Sequence, residues 1–144
     1  MELKPMRAGH LNAVAALSEQ LGYEVTEAEL NGRFGALENH RDHRMVVVLK
    51  DGRVAGWTHV CLVDGLESPR FAEIRALVVD SGARRAGVGK MLVEEAVRWA
   101  REQKVGKLRV RSNVVRDEAH KFYPALGFTL AKTQGCYDLP LQGE

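Results

Sequence analysis

The chain has 144 residues, 45% hydrophobic and 28% charged, with a formal net charge of +2. That length suits a single domain spanning 1–144 with a sizeable core, and so mild a charge argues against nucleic acid as a partner. Cys61 and Cys136 lie far apart and suit a reducing cytoplasm as small buried side chains, while no apolar run could span a bilayer and Met1–Pro5 is not a signal peptide, so a cytoplasmic protein without membrane contact is expected.

In chain order, Glu2–Arg7 reads as a short first strand, with Pro5 tolerable only at an edge or a strand end. His10–Leu21 is helical, with Leu11, Val14, Ala15, Leu17 and Leu21 on one face. Thr26-Glu-Ala-Glu29 is a capping box that opens a second helix burying Leu30, Phe34 and Leu37. Tyr23 lies in the link between these helices, behind Gly22, and the polar loop 39–44 follows the second helix. Arg44–Leu49 is too uniformly apolar for one wet face. Asp51-Gly52 is a hairpin signal, and the chain returns through Val54–Val63. Phe71–Val79 is the next strand, followed by a turn-rich loop and an amphipathic helix over Val88–Gln103. On that helix Glu94 and Arg98 stand four apart in the favourable order, and Gly106 is placed to end it. Leu108–Ser112 should run parallel to Phe71–Val79, because a single crossover helix joins them. Asp117 caps a short helix through Leu126, bent at Pro124 and stopped by Gly127. Thr129–Thr133 and Cys136–Leu139 are expected to close the chain as a hairpin around Gln134-Gly135.

The loop after Val79 carries the chemistry. It holds Gly87, Gly89, Arg84 and Arg85 and feeds a helix start, an arrangement in which free N–H groups and the helix dipole meet an anion. Glycine lets a phosphate approach the backbone closely. Gly82 and Gly87 have Walker spacing, but Val88 stands where Lys is required. A Rossmann fingerprint would need glycine in place of Leu92.

What does fit is Arg84-x-x-Gly87-x-Gly89 after an apolar strand, which resembles the pyrophosphate loop of the GNAT N-acetyltransferase superfamily, in its bacterial small-molecule branch. A second stretch, Arg111 to Phe128, resembles the Asn…Ala-x-x-Phe-Tyr-x-x-x-Gly-Phe signature of bacterial members. The order of elements agrees over almost the whole chain. The resemblance implies an α+β, three-layer α/β/α fold. Its mixed, mostly antiparallel sheet is splayed between the fourth and fifth strands and flanked by about four helices. It also implies transfer of an acetyl group from acetyl-CoA to a small-molecule or peptide amine, without a metal. Many relatives are dimers, so a homodimer is among the expected states.

By the same resemblance, the backbone of Leu77, Val78 and Val79 would pair with the pantetheine arm, and the Val78 N–H would polarise the thioester carbonyl. The backbone of Arg84, Arg85, Ala86, Gly87, Val88, Gly89 and Lys90 would hold the pyrophosphate. Asn113, Ala119 and Phe122 would flank the cofactor, and Tyr123 would protonate the departing thiolate. Glu73, in the Ala-Glu-Ile spacing of the histone-acetylating branch, is the candidate general base. Many small-molecule members carry the carboxylate two positions later, where this chain has Arg75. Strand alternation puts Glu73 and Arg75 on one face, so Glu73 is either the base or the ion-pair partner of Arg75.

Other readings stand beside these. Tyr123 also suits a core aromatic, and Tyr23, His59 and Arg75 are acceptor-pocket candidates or plain neighbours. His40 and His43 flank Asp42, yet with no further ligand nearby a solvated loop is expected there, not a metal. A module that binds acyl-CoA without turnover is the alternative function. A nucleotide-phosphate binder would need Ser or Thr after Lys90, where Met91 stands.

Overall fold

A computed structural model describes residues 1–84, 86–112 and 117–142, without the side chains of 117–120. These residues fall into two units, Met1–Arg111 and Ser112–Glu144, each described by itself.

The first unit is built on a five-stranded sheet in sequential order. Its strands are β1 (Glu2–Pro5), β2 (His43–Lys50), β3 (Arg53–Val63), β4 (Phe71–Val79) and β5 (Leu108–Val110). The first four pair antiparallel, and β4 pairs parallel with β5. β1 is an edge strand with Pro5 at its end, where a missing N–H costs no ladder bond. Asp51 (φ 54°) and Gly52 (φ 76°) turn β2 into β3, two consecutive left-handed residues as a tight hairpin demands.

Helices cover both faces. On one, α1 (Leu11–Glu19) and α2 (Glu27–Leu37) pack Leu11, Val14 and Phe34 with Met6 onto Val47. Thr26 caps α2, and both bonds of the capping box are made. On the other face, α3 (Val88–Glu102) presses Val88 and Leu92 against Val46, Val48, Ala55 and Ala83. Gly56 lets α3 sit this close: a Cβ there would stand 2.7 Å from Val88 Cγ1 and 2.9 Å from the Val78 carbonyl oxygen.

Four local expectations fail. Lys104 (φ 62°), not Gly106, takes the left-handed position past α3, because the closing bonds Lys104 N–H to Arg101 O and Val105 N–H to Ala100 O set the turn there. Arg98 bonds Glu95 and Glu102, not Glu94, because Glu95 points into the sheet and needs a cation. In the second unit, α4 (Asp117–Ala125) forms with Pro124 in its last turn and Gly127 (φ 95°) behind it, but the expected closing hairpin does not. No strand follows Val110 among the described residues, and Leu130, Tyr137 and Leu139 are exposed. An isolated two-stranded hairpin is marginal in water, and this segment covers no apolar face of its own. Cys136 lies in it and is therefore exposed rather than buried.

Candidate functional site

β4 pairs with β5 only from Ala72 to Ile74, leaving the backbone from Arg75 to Val79 open on that side. This is the splay between the fourth and fifth strands. A bulge begins where the pairing stops: His59 faces Ala76 and Val60 faces Ile74, so Arg75 is an extra residue on β4. The bulge decides which backbone groups face the opening. Ala72 donates toward β5, to Lys107 O at 3.0 Å. Beyond the bulge, the Ala76 carbonyl accepts from Thr58 Oγ1 at 2.7 Å, the Val78 carbonyl lies against Gly56, and Asp80 N–H reaches Ala55 O at 2.8 Å. All three residues therefore turn their backbone toward β3, and alternation turns Leu77 and Val79 to the open side. By this geometry it is the Leu77 N–H, and not the Val78 N–H, that faces the open side.

The open edge leads into the anion loop. Ser81–Ala83 forms one 3₁₀ turn, with the Asp80 side chain accepting from Gly82 N–H. Gln20, at the end of α1, pins the loop from both sides, donating to Asp80 Oδ1 at 3.0 Å and accepting from Ser81 N–H at 2.9 Å. Ala83 is buried and Ala86 half-buried, so the loop is anchored by its small side chains. Gly87 (φ 88°) is the N-cap of α3, a left-handed position that disfavours any side chain, and no side chain caps the helix. The first intrahelical bond runs from Met91 N–H to Gly87 O, so the N–H groups of Val88, Gly89 and Lys90 point out of the helix end. Val88 offers backbone only, its side chain being in the core. Arg84 and Lys90 are exposed beside it, and Arg85 lies outside the described residues.

Next to the bulge, on the face that carries α1 and α2, is a polar group. Glu73 is 3% exposed and holds two arginines, Arg75 Nη1 at 2.7 Å and Arg111 Nε at 3.2 Å, one on each carboxylate oxygen. The ion pair with Arg75 is therefore made. His59 and His43 join across β3 and β2, Nε2 to Nδ1, at 2.8 Å, and His40 packs edge-on to His43. Burial foremost, then His43 and Arg75, pushes His59 down to about 4. Burial also lowers His43, with His40 adding to the effect and Asp42 opposing it. Both imidazoles are thus neutral at pH 7. Burial raises the Cys61 thiol, against the pull of Arg75.

Tyr123 lies in α4, its ring edge-on to Phe122 and Phe128 at 5.0 and 5.5 Å. Ala119 is in the same helix, while Asn113 falls outside the described residues. Tyr23 is exposed behind the left-handed Gly22. Sequence reasoning gave no role to Arg111, Gln20 or Gly56. Gln20 carries no local signal, because its partners stand 60 residues away. Gly56, inside a strand pattern, did signal a close backbone approach.

A family model described as the acetyltransferase (GNAT) family matches residues 12–128. An uncharacterized N-acetyltransferase of Bacillus subtilis, YhdJ, is 40% identical over 58 residues, which are 40% of this chain and 41% of that protein, so about two fifths of that relative's length is matched. Among solved structures, the aminoglycoside antibiotic 6'-N-acetyltransferase AAC(6')-IG of Acinetobacter haemolyticus superposes with a TM-score of 0.82 at 18% identity, covering 99% of this chain and 100% of that one. Glucosamine-6-phosphate N-acetyltransferase of Arabidopsis thaliana gives 0.82 at 22% identity, over 96% and 98%. At such identities the likeness is one of fold. With the family model spanning most of its length, the chain belongs to the acetyltransferase (GNAT) family.

Proposed function

We propose that the protein moves an acetyl group from acetyl-CoA to an amine acceptor by direct attack in a ternary complex. The observation that carries this is the continuity of the open edge of β4, Arg75 to Val79, with the uncapped start of α3. The residues fit such a group. Outward-facing backbone groups at Leu77 and Val79 suit the amides of a pantetheine arm, which adds to the edge like a further strand. The N–H groups of Val88 to Lys90, with Arg84 exposed beside them, suit a pyrophosphate, which Arg85 would join in this reading. Asn113, Ala119 and Phe122 flank the other side in this reading. Acetyl-CoA, when bound, supplies the thioester whose acyl carbon is attacked.

The chain's own residues do the rest. Leu77 N–H donates to the carbonyl oxygen, where negative charge grows. Glu73 takes the proton from the acceptor amine through a water. Each of its oxygens gives one lone pair to an arginine and keeps another. As nitrogen bonds to the acyl carbon and the carbon–sulfur bond breaks, Tyr123 delivers its phenolic proton to the sulfur. His59 and Arg75 line the acceptor side with Tyr23.

The test is release of CoA thiol from acetyl-CoA against a panel of amines. Tyr123→Phe should leave cofactor affinity nearly intact and lower turnover on the order of 10²- to 10⁴-fold. Wild-type turnover by this variant, with an acceptor for which chemistry limits the rate, would make Tyr123 a packing residue.

A further inference from the structure

Arg75 is the bulge residue of β4, so its side chain is aimed by the irregularity that also opens the edge. A single nitrogen, Nη1, is held by Glu73 at 2.7 Å, and 55% of the side chain is exposed. Among the described residues Glu73 is its only hydrogen-bond partner. A guanidinium has five N–H donors in a planar fork, so Arg75 keeps a two-pronged edge of the kind that grips carboxylate or phosphate. Arg111 brings a second guanidinium to the other oxygen of Glu73, its side chain 58% exposed. The single charge of the Glu73 carboxylate is thus shared between two cations and does not cancel Arg75 in full. His43 and His59, the imidazoles nearest it, supply no anion to offset it, and both feel Arg75 as a cation. The nearby carboxylates Asp42 and Asp64 are engaged by Arg70.

We infer that the acceptor amine carries an anionic group, carboxylate or phosphate, which the Arg75 guanidinium receives beside the open edge of β4. This rests on the acetyl-transfer reading above and narrows it to a substrate class. An acceptor that is only cationic would approach a like charge. Arg75 and Leu77 are two residues apart, roughly 7 Å along a strand, so the amine and the anion are separated by a few bonds. Glu73 then serves twice, since it also orients the guanidinium that reads the acceptor.

The experiment compares matched pairs of acceptors on the full chain. Amino acids are set against their amides, O-phosphoethanolamine against ethanolamine, and spermidine serves as the polycation. The acid of each pair should have a kcat/KM at least about ten times that of its neutral partner, one such factor being the worth of a single charge-assisted bond, and the better pair tells carboxylate from phosphate. Arg75→Gln should reduce that ratio toward one, mainly by raising the KM of the anionic member, and Arg75→Lys should restore part of it. If Arg75→Gln does not fold, the wild-type ratios decide. An enzyme that melts higher with CoA but takes amides or spermidine as readily as acids overturns this inference and leaves acetyl transfer standing. A protein that neither melts higher with CoA nor releases thiol with any amine overturns the acetyl-transfer reading, and this inference with it.

Discussion

Two buried glutamates, one on each side of the sheet, are each held by two arginines, yet they are held differently. Glu95, on α3, receives Nε and Nη2 of Arg98 at 2.7 Å each and Nε and Nη2 of Arg44 at 3.3 and 3.1 Å. Arg98 gives its remaining terminal nitrogen to Glu102. Arg98 above all keeps the Glu95 carboxyl below the usual range, in spite of burial. Glu73 instead receives one nitrogen from each partner, beside an edge that no strand covers among the described residues. A buried carboxylate clamped by arginines is therefore not in itself a sign of function. The informative difference is how many donors Arg75 has left compared with Arg98, and whether they face packed helix or open strand.

The comparison can be broken first at Glu95. Glu95→Ala would take the shared carboxylate from Arg44 and Arg98, whose side chains are partly exposed, and losing these charge-assisted bonds costs up to about 3 kcal/mol. Urea unfolding should show that loss, while the fraction still folded keeps its affinity for CoA. Glu73→Gln should do the reverse. Its turnover at neutral pH should fall on the order of 100-fold, recovering in part as rising pH supplies free amine, with a smaller loss of stability. An unaltered pH–rate profile in Glu73→Gln would remove this residue from the proton path.

An effect confined to acid concerns the histidines beside Glu73. An unfolded imidazole titrates near 6.5, whereas His59 in the fold is pushed down to about 4, chiefly by burial. Between those values the unfolded chain binds more protons than the folded one. Stability is therefore full above about pH 6.5 and falls as the pH drops, by about 2 kcal/mol at pH 5 and about 3 kcal/mol at pH 4. His59→Gln should flatten that slope in melting curves taken across the window, and a slope unchanged by it would place the acid sensitivity elsewhere. Gly56→Ala should cost about 1–3 kcal/mol, because its Cβ would stand 2.9 Å from the Val78 carbonyl oxygen. Its Cβ would press on Val88, the first residue of α3, so any change in CoA affinity would come from a shifted helix start.

Much of this is legible in the chain. The capping box at Thr26 and Glu29, the Asp51-Gly52 turn, and the strand–loop–helix run from Phe71 to Glu102 are local patterns, and each is formed. What cannot be read there depends on partners distant in sequence. The bulge at Arg75 arises from how β3 and β4 align, and it alone decides that Leu77, not Val78, faces the opening. Glu95 looks like an ordinary charge on a helix, because its partner Arg44 lies 51 residues earlier. Alternation and a Gln-Gly turn suggest the closing hairpin, but strand propensity without a covered face does not hold a ladder.

The central claim is that the open edge of β4 and the start of α3 together hold acetyl-CoA. The most direct measurement is the melting temperature of the wild type and of Gly87→Glu, with and without CoA at about a hundred times its dissociation constant for the wild type. The wild type should gain roughly 2.7 kcal/mol of stability and melt several degrees higher. Gly87→Glu should gain nothing, because a side chain and a negative charge would stand where the pyrophosphate belongs. A wild-type melting temperature unmoved by excess CoA, or an equal rise in the variant, would contradict the account.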